Sequence, residues 1–305
     1  MAELSPMAPA DLVVGPVDPG EENPHSPWIS FLRVFAENRL ALAGSIVIVL
    51  FFAFCFLGPV VYRTNQVATN IAQASRGPSP HHLLGTDAVG YDVLGRLMAG
   101  GQITLVVALL VALLAASFGL VWGAISGFSG GGVDSLMMRV VDAALAIPGL
   151  FLLIFLDAIL RPSVVILVVV IASLAWLAPA RLVRAEVLKL RTMGYVEAAR
   201  GAGAGPVTIL FRHLFPNVIG TMAVNATFQV ADAVLTVAAL SFLGLGIPPP
   251  AANWGSMLSN GVSYVFAGYW WQIWPAGVCV VAIVVAFNFV GDGLRDAVDV
   301  RLRRR

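Results

Sequence analysis

The chain has 305 residues, of which 59% are hydrophobic and 11% charged, with a formal net charge of +1. Soluble domains carry about 25% charged residues, so this balance excludes an ordinary soluble protein. Lipid is the expected surrounding, and no nucleic-acid partner is expected.

Residues 1–26 are proline-rich and carry Glu3, Asp11, Asp18, Glu21 and Glu22 with no Lys or Arg. A signal peptide would open with positive charge and a short apolar core, so the segment reads as a disordered cytoplasmic tail. From Pro27 the pattern changes, with Trp28, Phe31, Leu32 and Phe35 at helical spacing beside Arg33 and Glu37. That is the pattern of a short helix at a membrane surface.

Six apolar stretches follow, at 40–61, 103–125, 140–160, 164–182, 218–245 and 271–290. A helix of about twenty residues covers the roughly 30 Å hydrocarbon layer, so the expected fold is an all-α polytopic membrane protein with six transmembrane helices. With both termini cytoplasmic, fourteen of the eighteen basic side chains share one side and only Arg63, Arg76, Arg96 and Arg161 lie opposite. This is the positive-inside bias, and it places both termini and the polar loop 183–217 in the cytoplasm. The chain then divides into a tail (1–26), an interfacial helix with the first span and an extracytoplasmic segment (27–101), a five-helix core (102–296) and a basic tail (297–305). Cys55 and Cys279 fall inside apolar spans and read as small hydrophobes. His25, His81, His82 and His213 are scattered without ligand spacing, so no metal site is expected.

Before the second span, the stretch 82–96 reads as a capped amphipathic lead-in with Asp87 near a helix start. A glycine break at 127–132 opens the third span, where Arg139 and Asp142 stand three apart and are expected to pair on one helix face. That pair is either a gate at the cytoplasmic mouth or a satisfied structural pair. Pro148 is expected to kink this helix.

The run Tyr195, Val196, Glu197, Ala198, Ala199, Arg200 predicts a short helix ended by the glycines at 201, 203 and 205. Pro206 then suits the first turn of the next helix. Ala198 and Ala199 give the short helix a flat face, and Glu197 and Arg200 offer directed charge. Along the fifth span, Thr221, Asn225, Gln229, Asp232 and Thr236 recur at intervals of four, four, three and four. Such a polar stripe must face protein or water, as the wall of a translocation path or as interhelical hydrogen bonds.

The spacing of Glu197, Ala198, Ala199, Gly203 and Pro216 resembles the signature loop of binding-protein-dependent ABC import permeases. Arg212, His213, Pro216 and Asn217 resemble the Arg-His-x-x-Pro-Asn variant of the peptide-transporting branch. Residues 82–96, the run 241–258 and the ending Asn288, Gly291, Asp292, Leu294, Arg295, Asp296 are similar to the same branch, with Tyr91, Gly95 and Val300 as departures. The resemblance implies a type I ABC importer permease fold of the C-type dipeptide and oligopeptide kind, in a bacterial inner membrane. It implies a homologous second permease, two ABC ATPase subunits and an extracytoplasmic substrate-binding protein, which the 241–258 connection would meet. It assigns ATPase coupling to Tyr195, Glu197, Ala198, Ala199, Arg200, Gly203, Arg212, His213 and Pro216. Asn225, Gln229 and Asp232 are the expected path residues, and Arg139 with Asp142 the expected gate.

The chain has no Gly-x-x-x-x-Gly-Lys-Ser/Thr phosphate loop, and its one lysine, Lys189, cannot complete one. No cofactor is therefore expected in this chain, and ATP and Mg belong to the partner ATPases. No Gly-x-Ser-x-Gly elbow or His-Glu-x-x-His pair is present either, so no enzymatic activity is expected here. Two rival classes stay open, an ion-driven secondary transporter using Asp142, Asp157 and Asp232, and a membrane scaffold. Within the ABC reading, nickel and glutathione are the alternative substrates.

Overall fold

A computed structural model describes residues 27–160 and 163–303, so the expected 1–26 tail and Arg161 lie outside the described residues. All named elements are helices: α1 (Pro27–Glu37), α2 (Arg39–Val61), α3 (Val93–Ser129), α4 (Gly131–Leu145), α5 (Gly149–Ile159), α6 (Val164–Ala175), α7 (Leu177–Leu190), α8 (Gly194–Gly201), α9 (Pro206–Phe242), α10 (Trp254–Val265) and α11 (Trp274–Arg303). Four of them, α2, α3, α9 and α11, are long and apolar enough to cross a membrane unbroken. The bent pairs α4–α5 and α6–α7 bring the number to six if each pair is one span.

Several expected boundaries shift for identifiable reasons. The second span begins at Val93, ten residues earlier than hydropathy implies, because Asp92 caps it by accepting the Gly95 N–H at 2.8 Å. Asp87, the expected start, instead folds a preceding turn in which its carboxylate accepts the Val89 and Tyr91 amides at 3.0 and 2.9 Å. Pro148 does more than kink the third span. The chain leaves helical geometry there and α4 and α5 meet at 79°. The fourth span breaks at Trp176 with a 40° bend. The last helix starts at Trp274 and runs on through the expected basic tail to Arg303.

Prolines inside membrane helices free a carbonyl four residues back, and in lipid that group needs another donor. Pro59 stands four residues after Cys55, within a segment whose preceding turn is widened to the π form over Ala53–Leu57. Gln102 on α3 donates to the Cys55 carbonyl at 2.7 Å. A second π turn, Ile209–Leu214, precedes Pro216 at the base of α9.

Helix α3 is the spine of the bundle. On one side it lies against α7 through Gly119, Gly123 and Gly127. A Cβ at Gly123 would come within 2.3 Å of the Ala180 carbonyl oxygen, and one at Gly127 within 2.9 Å of the Arg184 carbonyl oxygen. This small-xxx-small repeat lets two backbones touch, which is how helices associate where lipid removes the hydrophobic drive. On the other side α3 packs on α9 and α10, with Leu105, Val107, Val111, Val234, Leu240, Trp254 and Ile283 in one buried cluster. Helices α2 and α11 close the outside, tied where Asn38 caps α2 and its amide donates to Asp296 at 3.3 Å.

Candidate functional site

The short helix α8 is held from one side and open on the other. Its Val196 is fully buried in a cluster with Val183, Val187, Leu190, Ile209, Leu214 and Val218, which joins α7, α8 and the base of α9. Glu197, Ala198 and Arg200 are exposed, and Ala199 is half-buried. The helix ends as the glycines imply, with one of them critical. Gly203 takes φ +85°, its N–H donates to Arg200 O, and Ala204 N–H donates to Ala199 O, both at 3.0 Å. That double bond pattern needs a left-handed residue at the turn, which glycine adopts at no steric cost. Gly205 is extended and Pro206 is the first residue of the next helix.

Tyr195 and the Arg212–Asn217 segment come together as well. Asn217 donates to the His213 carbonyl at 2.7 Å and lies 3.5 Å from the Tyr195 hydroxyl, with the Tyr195 and His213 rings 6.4 Å apart. Burial pushes the Tyr195 phenol above its ordinary range; the Asn217 bond opposes this and the Glu186 carboxylate adds to it. Arg212 and Pro216 are exposed beside them. A cavity of about 310 Å³ opens between Glu197, Arg200, Arg191, Thr192 and Phe128.

The expected Arg139–Asp142 pair is not formed. Asp142 is reached instead by Arg181 of α7 at 2.5 Å, because α7 runs alongside α4 and offers a shorter path than one turn of the same helix. One stretch nearer the start of α4, Asp134 is gripped by Arg184 at 2.5 and 2.7 Å and accepts the Ser126 hydroxyl at 2.5 Å. Asp134 precedes the apolar run 140–160, so neither hydropathy nor spacing within its own helix signals it; its partner Arg184 comes from 50 residues away.

The polar stripe of α9 does not line one surface. Thr221 and Asn225 border a cavity of about 230 Å³ with Leu182 and Arg295, where the Asn225 side-chain oxygen Oδ1 is buried without a hydrogen-bond partner among the described residues. Gln229, Asp232 and Thr236 border a separate groove of about 470 Å³ with Leu145, Leu150 and Leu174. Asp232 is exposed there, while Gln229 is buried and donates to the Ala175 carbonyl at 3.1 Å.

At the opposite end of α3, residues 62–92 fold over the helix start. Asp92 accepts from the Tyr62 hydroxyl at 2.8 Å and contacts the His82 ring at 2.9 Å, in addition to its capping bond. The Trp271 indole donates to Thr86 O at 3.1 Å. Arg96 lies 4.1 Å over the Tyr91 ring, donates to Pro250 O at 2.6 Å, and stands 3.9 Å from Asp87. Tyr91 is thus a cation–π partner of Arg96. A cleft of about 500 Å³ separates this assembly from α10, lined by Asp87, Arg96, Asn260 and Tyr264.

Comparison with known proteins identifies the family. Residues 119–304 match the family described as binding-protein-dependent transport system inner membrane component. The chain belongs to that family. Residues 26–78 further match the N-terminal TM domain of oligopeptide transport permease C. The oligopeptide transport system permease protein OppC of Bacillus subtilis (strain 168) is 37% identical over 278 residues, covering 91% of this chain and 90% of its own. A Brucella suis biovar 1 (strain 1330) chain with a provisional peptide-permease name is 43% identical, covering 88% and 89%. The dipeptide transport system permease protein DppC of Bacillus subtilis (strain 168) is 34% identical, covering 89% and 85%. The chain is therefore an all-helical, multi-pass membrane permease of the oligopeptide and dipeptide kind, and works as part of a transport system with partner subunits.

Proposed function

We propose that this permease forms half of the translocation path of an ATP-driven importer of di- and oligopeptides and couples to an ATPase subunit through α8. The observation that carries the reading is the two-sided character of α8, clamped inward by Val196 and presenting Glu197, Ala198 and Arg200 outward. Ala198 and Ala199 let the helix enter a groove, Glu197 and Arg200 give it charge contacts, and Tyr195, Arg212, His213 and Pro216 support its base. Both termini and α8 are cytoplasmic in this reading, by the positive-inside bias, in a bacterial inner membrane. The peptide substrate is supported by the printed names of the relatives.

The partners follow from the same reading. A homologous permease completes the path, two ABC ATPase subunits bind ATP and Mg and hydrolyse the nucleotide, and an extracytoplasmic binding protein delivers peptide at the 62–92 end. This chain performs no hydrolysis. Closure of the ATPases moves α8, and the bundle alternates between its two accesses. Of the stripe on α9, Asp232 borders the path in this reading, while Asn225 faces a separate cavity and Gln229 is tied to the Ala175 carbonyl; Arg139 and Asp142 lie near the cytoplasmic mouth.

The test is Gly203→Val against Gly203→Asn in the reconstituted transporter. A β-branched residue is strained at φ +85°, whereas Asn tolerates that region, and nothing lies within 4 Å of Gly203 to clash with either. The valine variant is expected to insert normally but lose uptake, and the asparagine variant to keep most of it. Normal uptake and hydrolysis with valine would refute the coupling role.

A further inference from the structure

Helix α4 is a strut between two joints. Its first joint is Gly130–Gly131, where φ is +66° and +55°, and its second is the break at Ala146–Pro148 before the 79° turn into α5. What holds the strut is α7. Arg184 grips Asp134 with two bonds near the first joint, and Arg181 reaches Asp142 at 2.5 Å toward the second. Met138 and Val141 of α4 meet Leu177 of α7 along the same seam.

Helix α7 in turn is joined to α8 with little slack. Three residues, 191–193, connect them, with Arg191 N–H donating to Val187 O at 3.0 Å and Met193 N–H to Leu190 O at 3.1 Å. Val187 and Leu190 share the buried cluster that holds Val196. Displacement of α8 is therefore carried along α7, and the two arginines stand where α7 can pull on α4.

We infer that the Asp134–Arg184 and Asp142–Arg181 pairs are the rungs that carry movement of α8 into the bent α4–α5 pair, making Asp134 and Arg184 positioning residues for transport. This rests on α8 being the ATPase-docking helix. A charge-assisted bidentate bond suits such a rung because it fixes direction as well as distance. Ser126, at the end of α3, hydrogen-bonds the same carboxylate and so keeps it aimed at Arg184 when the chain flexes at Gly130.

The experiment uses the whole transporter in lipid vesicles and reads peptide taken up per ATP hydrolysed. Asp134→Asn is expected to lower that ratio about tenfold, a factor typical of coupling between sites. The double variant Asp134→Arg with Arg184→Asp is expected to restore at least half of it; a purely structural role would instead lower the amount of assembled transporter and leave the ratio of what assembles unchanged. Should Asp134→Asn fail to assemble, Arg184→Lys keeps the charge, loses the two-pronged grip, and is expected to show the same fall in milder form. An unchanged ratio in whichever of these single variants assembles, or a double variant no better than the worse single one, overturns the rungs. Gly203→Val is run alongside: if it uncouples while the rung variants do not, the docking reading stands and this inference alone falls. If it has no effect, both fall.

Discussion

Gln229 of α9 donates to the carbonyl oxygen of Ala175 across 3.1 Å, four residues before Pro179. Proline cannot donate to that carbonyl, so a side chain from another helix takes over, as Gln102 does for Cys55 four residues before Pro59. Gln229→Leu and Gln102→Leu should each lower stability by about 1 kcal/mol, the usual worth of such a bond between membrane helices. Both are checked by the melting temperature of the detergent-purified transporter. No change in either would mean that the freed carbonyls are satisfied from within their own helices.

Gly123 marks the tightest point of the α3–α7 seam, with space for no added carbon. Gly123→Ala is expected to cost about 1–3 kcal/mol through forced separation of the backbones, and Gly123→Leu to abolish accumulation in the membrane. Gly132, helical with nothing within 4 Å, is the control. Gly132→Ala should be neutral or slightly stabilising because alanine is the better helix former. Equal effects at both sites would remove the seam as an explanation.

The 62–92 assembly should loosen at alkaline pH. Burial, and then the Asp92 carboxylate that accepts its proton, raise the Tyr62 phenol above its ordinary 10.0. Because the folded value exceeds the unfolded one, this contribution is whole below pH 10 and is lost as pH rises through the folded value. Hydrogen exchange of peptides from 70–92, corrected for the intrinsic rate, should accelerate in that window. Tyr62→Phe should remove the alkaline step, and persistence of the step would assign it to another group.

Asp232 faces the open groove on α9, and Asp232→Asn tests whether that groove is on the transport route. Uptake is expected to fall several-fold, with ATPase-subunit binding intact, since the residue lies far along α9 from the α8 cluster. Wild-type uptake would make the lower half of the polar stripe structural, as Gln229 already is in part.

The membrane helices were legible because lipid demands long apolar runs, and the α8 turn because Gly203 and Pro206 have few other uses in such a place. The breaks were less so. Pro148 was visible, but a 79° change of direction depends on what α5 packs against, which periodicity does not encode. The partner of Asp142 could not be read from its own helix, since Arg181 arrives from 39 residues away. The early start of α3 was hidden by Arg96, a charge that hydropathy counts as a boundary and that Tyr91 and Pro250 O in fact bury. By contrast, the glycines at 119, 123 and 127 spell a helix-packing repeat outright, which apolar content alone does not register.

That repeat has one more effect. If a methyl-sized group cannot fit between α3 and α7, neither can a file of water or the tail of a lipid. The seam is a watertight weld, and leakage of protons or ions along it is closed in every state that keeps those two backbones in touch.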